Sequence, residues 1–405
     1  AIAGDGTVLA VADYEVPREM GNNFDFGPNG FGWGGALAVA DMEGDGHPEI
    51  AWRGSVHRFR AGAFAEVFDV PGVRGGWDGT EIGRGEIEIS TAITFFAQLD
   101  DDADLELLAG RSAIDTGGTM LWERSDLPDG YDALGDFDGD GTPEVVHVGD
   151  GEVTLLEAAT GATVGGPLAL EGRGRGGPPT VADFDGDEAP EIGVAQQDRY
   201  SVVEVDVEAD RLALRTLWRA NNHDLSSSVT GSTVFDFEGD GVAEVVYNDE
   251  CYMWVYDGPT GNVRFAAPTN SFTATEASVV ADVDSDGSAE MVMISNGSGF
   301  DPVEGDHRWN CTDNDPEEYP PWNPPAGADT WRGITVFRDA ARSWVGTRAL
   351  WNQHAYHVTN ICDDRDSACE PARGYGAIPE RQRANWRLPW LNNFRQNVLD
   401  EGLFD

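Results

Sequence analysis

Along the chain, β-branched and aliphatic runs of strand length alternate with polar, glycine-rich turns, and helical periodicity is weak throughout. One unit recurs: an apolar run, an acidic loop, then a second apolar run. Its clear copies are VADMEGDGHPEIAW from Val39, LGDFDGDGTPEVVHV from Leu134, VADFDGDEAPEIGV from Val181, VFDFEGDGVAEVVY from Val234 and VADVDSDGSAEMVM from Val280. FAQLDDDADLELLAG from Phe96 is a weaker copy. Two more strands follow each loop. Glu144 leads into VVHVG and VTLLEA, then the turn ATGA; Glu244 leads into VVYND, CYMWVYDG, the turn PTGN and VRFAA. Gly-containing turns between apolar runs predict hairpins.

The loops open at positions 41, 98, 136, 183, 236 and 282. Their period of about 48 residues is that of one four-stranded propeller blade. The expected fold is therefore all-β, a seven-bladed β-propeller forming a single domain over residues 1–405. Six blades fall roughly at 30–75, 89–125, 130–168, 178–220, 228–268 and 276–350, the last carrying a Pro- and Asp-rich insertion at 296–330. GITVFRD and SWVGTRAL are expected as the third and fourth strands of the sixth blade. The seventh is expected from residues 351–405, with HVTNICDDRDSAC as a decayed loop, together with residues 1–16. Sharing that blade between both ends removes exposed sheet edges.

In D-x-D-x-D-G-x-x-E, carboxylates at positions 1, 3, 5 and 9 can fold around one centre, and the Gly permits the sharp turn. Oxygen ligands in a flexible loop suit Ca²⁺ better than Mg²⁺ or a transition metal. Closely packed carboxylates repel one another unless a cation joins them. The full sets are Asp136, Asp138, Asp140, Glu144; Asp183, Asp185, Asp187, Glu191; and Asp282, Asp284, Asp286, Glu290. Two sets carry Glu at position 3: Asp41, Glu43, Asp45, Glu49 and Asp236, Glu238, Asp240, Glu244. The weak copy begins with Gln98, continues with Asp100, Asp102 and Glu106, lacks the Gly, and is expected to bind most weakly. About five or six Ca²⁺ ions are expected in all. An EF-hand would need Glu at position 12 between two helices, but position 12 after Asp136 is His147 in a β-rich run.

These loops resemble the FG-GAP repeats of integrin α-subunits and the related VCBS repeats of bacterial secreted and surface proteins. The resemblance covers roughly residues 30–300 well, and the tail segments WNQHAYHVTN and NWRLPWLNNFRQN more loosely. It implies a seven-bladed propeller with calcium between the first and second strands of a blade. Family loops usually end in Asp, whereas each ninth position here is Glu. It also implies a bacterial protein, secreted or at the cell surface.

Composition narrows the function. A net charge of −47 excludes nucleic acid and anionic lipid as partners, because both need a basic footprint. All 26 basic residues are Arg. No apolar stretch is long enough to insert in a membrane. The four cysteines suit an oxidising compartment, and the start at Ala1 suits a mature secreted chain or a fragment of a longer one. Their expected pairing is Cys251–Cys311 and Cys362–Cys369. No catalytic constellation stands out, so the expected role is a non-enzymatic adhesion, ligand-binding or assembly module. Its partner would be a protein or glycan at the cell surface, or neighbouring subunits. The alternative is a carbohydrate-active enzyme of polysaccharide-lyase type, or a lectin. The variable segments fall on the face opposite the acidic loops, where Arg173, Asn222, His223, Trp309 and His354 are the candidate ligand-contacting residues.

Overall fold

The computed structural model describes residues 1–3, 6–10, 35–76, 78–79, 89–90, 92–100, 102–209, 211–225, 227–271, 277–295, 311, 331–363 and 374–399. Within them the chain folds as consecutive antiparallel meanders. The first sheet holds Ala38–Ala40, Glu49–Trp52, Ser55–Arg60 and Ala63–Asp69. The second holds Phe95–Ala97, Glu106–Leu108, Ser112–Ile114 and Met120–Glu123. The third holds Tyr131–Gly135, Glu144–Gly149, Glu152–Glu157 and Thr163–Ala169, and the fourth Thr180–Ala182, Glu191–Ala195, Arg199–Val207 and Leu212–Asn221. These two touch edge to edge through the single pair Gly165 and Leu212. The fifth holds Ser232–Phe235, Glu244–Asn248, Tyr252–Tyr256 and Val263–Pro268. The sixth holds Val279–Ala281, Glu290–Ser295 and Gly333–Phe337.

First strands lie side by side between the first and second sheets and again from the third through to the sixth, as in a β-propeller. Burial follows from that stacking. The first and second strands of the third, fourth and fifth sheets are buried along their whole length, which explains their continuous Val, Ile and Ala runs. The fourth strands mix exposed and buried positions, because they form the solvated rim.

Neighbouring sheets are locked by one repeated contact. Trp122, on the fourth strand of the second sheet, donates its indole N–H to Ala158 O at 2.8 Å. Trp218, on the fourth strand of the fourth sheet, donates likewise to Gly258 O. Each indole covers the Gly of the next sheet's hairpin, Gly161 or Gly261, both at positive φ. A Cβ at Gly261 would sit 2.3 Å from Trp218.

The two chain ends depart from expectation. SWVGTRAL forms no fourth strand in the sixth sheet; its one ladder contact pairs Thr347 with Leu399. The described part of residues 351–399 forms no seventh sheet, only short 3₁₀ turns and single bridges. At the N-terminus Ile2 pairs with Val8, and the rest of the expected strand lies outside the described residues. The tail instead follows the ring of first strands. Asn392 exchanges two hydrogen bonds with the Asp136 backbone, at 2.9 and 2.7 Å. Phe394 exchanges two with Val181, the Val234 N–H donates to Arg395 O, and the Asn397 amide donates to Val280 O. Successive tail residues thus meet the third, fourth, fifth and sixth sheets in turn. Upstream, Gln353 accepts the Val39 N–H of the first sheet, and Arg348 O accepts the Asp282 N–H of the sixth. Among the described residues no helix is long and apolar enough to cross a membrane.

Candidate metal sites

Each acidic loop joins the first and second strands of its sheet, so all six share one face. Position 9 opens the second strand, which fixes its side chain against the loop. In all six copies one oxygen of this Glu, Oε2, accepts the backbone N–H of position 2: Met42, Leu99, Phe137, Phe184, Phe237 and Val283, at 2.7–3.2 Å. Position 1 is the second organiser. Asp41, Asp136, Asp183, Asp236 and Asp282 each accept loop N–H groups on both oxygens. Gln98 replaces this acid in the second sheet, and its amide donates to Asp102 O.

This wiring leaves the other oxygen of the position 9 glutamate, Oε1, facing the loop centre. Glu191 Oε1, Glu290 Oε1 and Asp185 Oδ1 are buried without any hydrogen-bond partner. In five of the six loops carboxylate oxygens converge to within 4.8 Å of one another. The groups are Asp183, Asp185, Asp187 and Glu191; Asp100, Asp102 and Glu106; Asp136, Asp138 and Glu144; Asp236, Glu238 and Glu244; and Asp282, Asp284 and Glu290. Asp140, Asp240 and Asp286 stand outside the groups and instead accept the N–H of position 7. The set at Asp41 does not gather in this way.

Burial raises the position 9 acids, with like-charged neighbours adding to it: Glu106 and Glu144 to about 8 and Glu191 to about 9. Glu244 is also pushed up to about 8, mainly by burial. An ionised carboxylate buried beside others is costly, so each site takes up either a proton or a cation. Where buried oxygens lack any other partner, as at Asp185, Glu191 and Glu290, the all-oxygen donor set fits a hard divalent cation.

Arginines reach some loops, a feature that repeat reading missed. Arg58, on the third strand of the first sheet directly opposite Glu49, bonds Glu49 Oε1, Glu43 Oε2 at 2.9 Å and Asp45 Oδ2 at 3.2 Å. Arg264, on the fourth strand of the fifth sheet, bonds Glu244 Oε1 and both oxygens of Glu238. In the sixth sheet Arg342 lies 3.2 Å and Arg338 4.0 Å from Asp286, with Arg338 also 3.6 Å from Asp284.

Four of the five ligand-face candidates are described, and three of them are brought together on the opposite face. Arg173 is exposed and pairs with Asp198 at 2.7 Å. Asn222 is buried and donates to Gln196 O at 3.0 Å, leaving its Oδ1 unpartnered. His223 Nδ1 lies 3.1 Å from Glu250 Oε2 and 3.4 Å from Cys251 Sγ. The glutamate contact raises His223, although burial pulls the other way. His354 sits apart from them beside Gly231. Trp309 lies outside the described residues. Cys251 is bonded to Cys311, which joins the insertion to the fifth sheet. Cys362 is disulfide-bonded, and its expected partner Cys369 lies outside the described residues.

Residues 136–194, spanning the third and fourth acidic loops, match the FG-GAP-like repeat family. No curated protein matches the sequence. The V. cholerae biofilm matrix protein Bap1 has a similar structure: TM-score 0.60 at 16% identity, covering 91% of this chain and 77% of that one. A Bacillus licheniformis rhamnogalacturonan lyase aligns at TM-score 0.35 and 18% identity, over 65% of this chain and 47% of the lyase. An Agrocybe aegerita lectin that recognises non-reducing terminal N-acetylglucosamine aligns at TM-score 0.34 and 15% identity, over 64% and 70%. The chain thus spans less than half the length of that lyase.

Proposed function

We propose that this chain, whose residues 136–194 form an FG-GAP-like repeat, is a calcium-stabilised propeller acting outside the cell as a non-enzymatic binding or assembly module. The observation that carries the calcium reading is the position 9 glutamate. One oxygen ties the loop together, and the other is buried in a cluster of acids with no donor of its own, as at Glu191 and Glu290. A bound Ca²⁺ would be held by these Glu residues and the Asp residues at positions 1 and 3. It would supply positive charge and fix the turn. The seven-fold count expected from the repeat period would be completed by the tail, acting as a wedge between the sixth and first sheets.

The Cys251–Cys311 disulfide suits an oxidising, extracellular setting. The structural likeness to a biofilm matrix protein is in keeping with an assembly role. Of the basic residues a lyase would call on, Arg173 is held by Asp198 and His223 by Glu250, which favours binding over catalysis. We place recognition on the face opposite the metal loops, because metal-fixed repeats have little freedom to encode a particular protein or glycan.

The test is to incubate the protein with neutral and acidic polysaccharides and with cell-surface protein extracts, recording both binding and unsaturated sugar products. Binding without product release is expected, and Arg173→Ala should weaken it. A cavity of about 360 Å³ lined by Gln98, Thr359, Gln382 and Arg383 lies on the metal-loop side. Loss of binding in Arg383→Ala but not in Arg173→Ala would reverse the assignment of faces. Unsaturated products would replace the binding module with a lyase.

A further inference from the structure

The six loops are not chemically equivalent. In the first and fifth, the oxygen that stands open at Glu191 and Glu290 is already taken. Arg58 bonds Glu49 Oε1 and reaches Glu43 and Asp45; Arg264 bonds Glu244 Oε1 and grips both oxygens of Glu238. We infer that in these two loops an arginine guanidinium stands in place of the metal ion, so that the chain holds four cations rather than six.

Sequence and geometry support this independently. The two loops closed by arginine are the two with Glu at position 3, Glu43 and Glu238; the other four have Asp100, Asp138, Asp185 and Asp284 there. A guanidinium is a broad planar fork with donors on its edges, whereas Ca²⁺ is a point charge that draws its oxygens to within about 2.6 Å. The additional methylene of Glu lets the acid reach out and pair with the fork. The shorter Asp keeps its oxygen close to the loop centre. The arginines also come from different places, Arg58 from a third strand and Arg264 from a fourth, yet their guanidinium groups arrive at the same atom. Two routes to one contact point to the site's need for a cation, not to an inherited neighbour.

The remaining loops keep that atom clear of arginine. Among the described residues no arginine pairs with the acids of the loops at 98, 136 and 183; Arg215, on the fourth strand of the fourth sheet, pairs with Glu204 at 3.2 Å and Asp206 at 3.0 Å instead. In the sixth sheet the exposed Arg338 and Arg342 touch only Asp284 and Asp286, and Glu290 Oε1 stays without a partner. A metal ion in the first or fifth loop would have to share its innermost oxygen with a fixed positive charge, and so is excluded there.

This inference rests on the calcium reading proposed above, and the experiment separates the two. Calcium is counted by native mass spectrometry and by equilibrium dialysis on the full chain, alongside Arg58→Ala and the double variant Arg58→Ala with Arg264→Ala. Four ions are expected in the unsubstituted chain, five in the single variant and six in the double. Six ions in the unsubstituted chain would overturn the inference and leave the calcium reading intact. Four in every variant would also overturn it. No bound calcium in any of them would overturn both. Hydrogen exchange on the unsubstituted chain provides a readout that needs no variant to fold. In chelator the amides of Asp45, Gly46 and Gly241, which bond Asp41 and Asp236, should stay protected. Those of Gly141, Gly186 and Gly287 should lose protection. Equal loss in all five of these loops would contradict the assignment.

Discussion

At Glu191 the two oxygens of one carboxylate have different tasks. Oε2 holds the Phe184 N–H at 2.7 Å, while Oε1 is buried without a donor. Glu, not Asp, stands at position 9 because the side chain must span from the first residue of the second strand both to a loop amide and to the loop centre. Glu191→Gln keeps the shape and the amide contact but removes the charge. In saturating calcium we expect it to lower stability by about 1–3 kcal/mol through loss of a ligand. In chelator it should leave stability unchanged or higher, because a buried carboxylate has gone. Calorimetry in the two buffers reads both signs. The residue scale also holds what the sequence hid. Position 9 was legible from the repeat, but Arg58 and Arg264 were not, since they occupy different strands and share no motif. The signal was Glu43 and Glu238, which broke the D-x-D pattern.

The elements that read well from sequence are those whose burial matches their pattern. Continuous apolar runs became the inner strands, and the acidic loops fell between first and second strands in all six sheets. The hairpins ATGA and PTGN were legible as turns, but not as the seats for Trp122 and Trp218. That pairing requires a small residue at positive φ beneath an indole. Gly261→Val should therefore destabilise by about 1–3 kcal/mol, measured by urea unfolding, because the new side chain meets Trp218. SWVGTRAL looked like a strand because it is apolar and lies one strand length after GITVF. It runs instead to Arg348, which is fully buried, donates to Val358 O and Ile361 O, and lies 3.2 Å from the buried Asp363. Hydrophobic patterning assigns charged residues to the surface, so a segment anchored by a buried arginine is invisible to it.

Over the whole molecule, the tail binds the sheets into one body. Arg395 is likewise buried, donating to Ser232 O, His354 O and Thr233 Oγ1, and burial pulls it down to about 9. Removing Arg348 would take the buried cation away from Asp363 and from the carbonyls of Val358 and Ile361, so Arg348→Ala should cost about 3–5 kcal/mol, read as a drop in unfolding midpoint. Charge acts at the same scale. The four divalent ions proposed here would relieve a chain at −47, and binding to the folded state alone would stabilise it by mass action. Folding without metal raises Glu106, Glu144 and Glu191 well above the ordinary carboxylate range, mainly through burial, to about 8, 8 and 9. The metal-free fold is therefore favoured below the unfolded carboxylate pKa, and that contribution is lost progressively as pH rises from there to the folded values of about 8 to 9. Thermal melting in EDTA at pH 5, 7 and 9, with calcium or magnesium then added back, asks whether bound calcium holds the fold. The melting temperature in EDTA is expected to fall as pH rises. Recovery by calcium is expected to be largest at pH 9 and greater than that by equimolar magnesium. Equal melting temperatures with and without calcium, in protein shown by elemental analysis to be metal-free in EDTA, would contradict it.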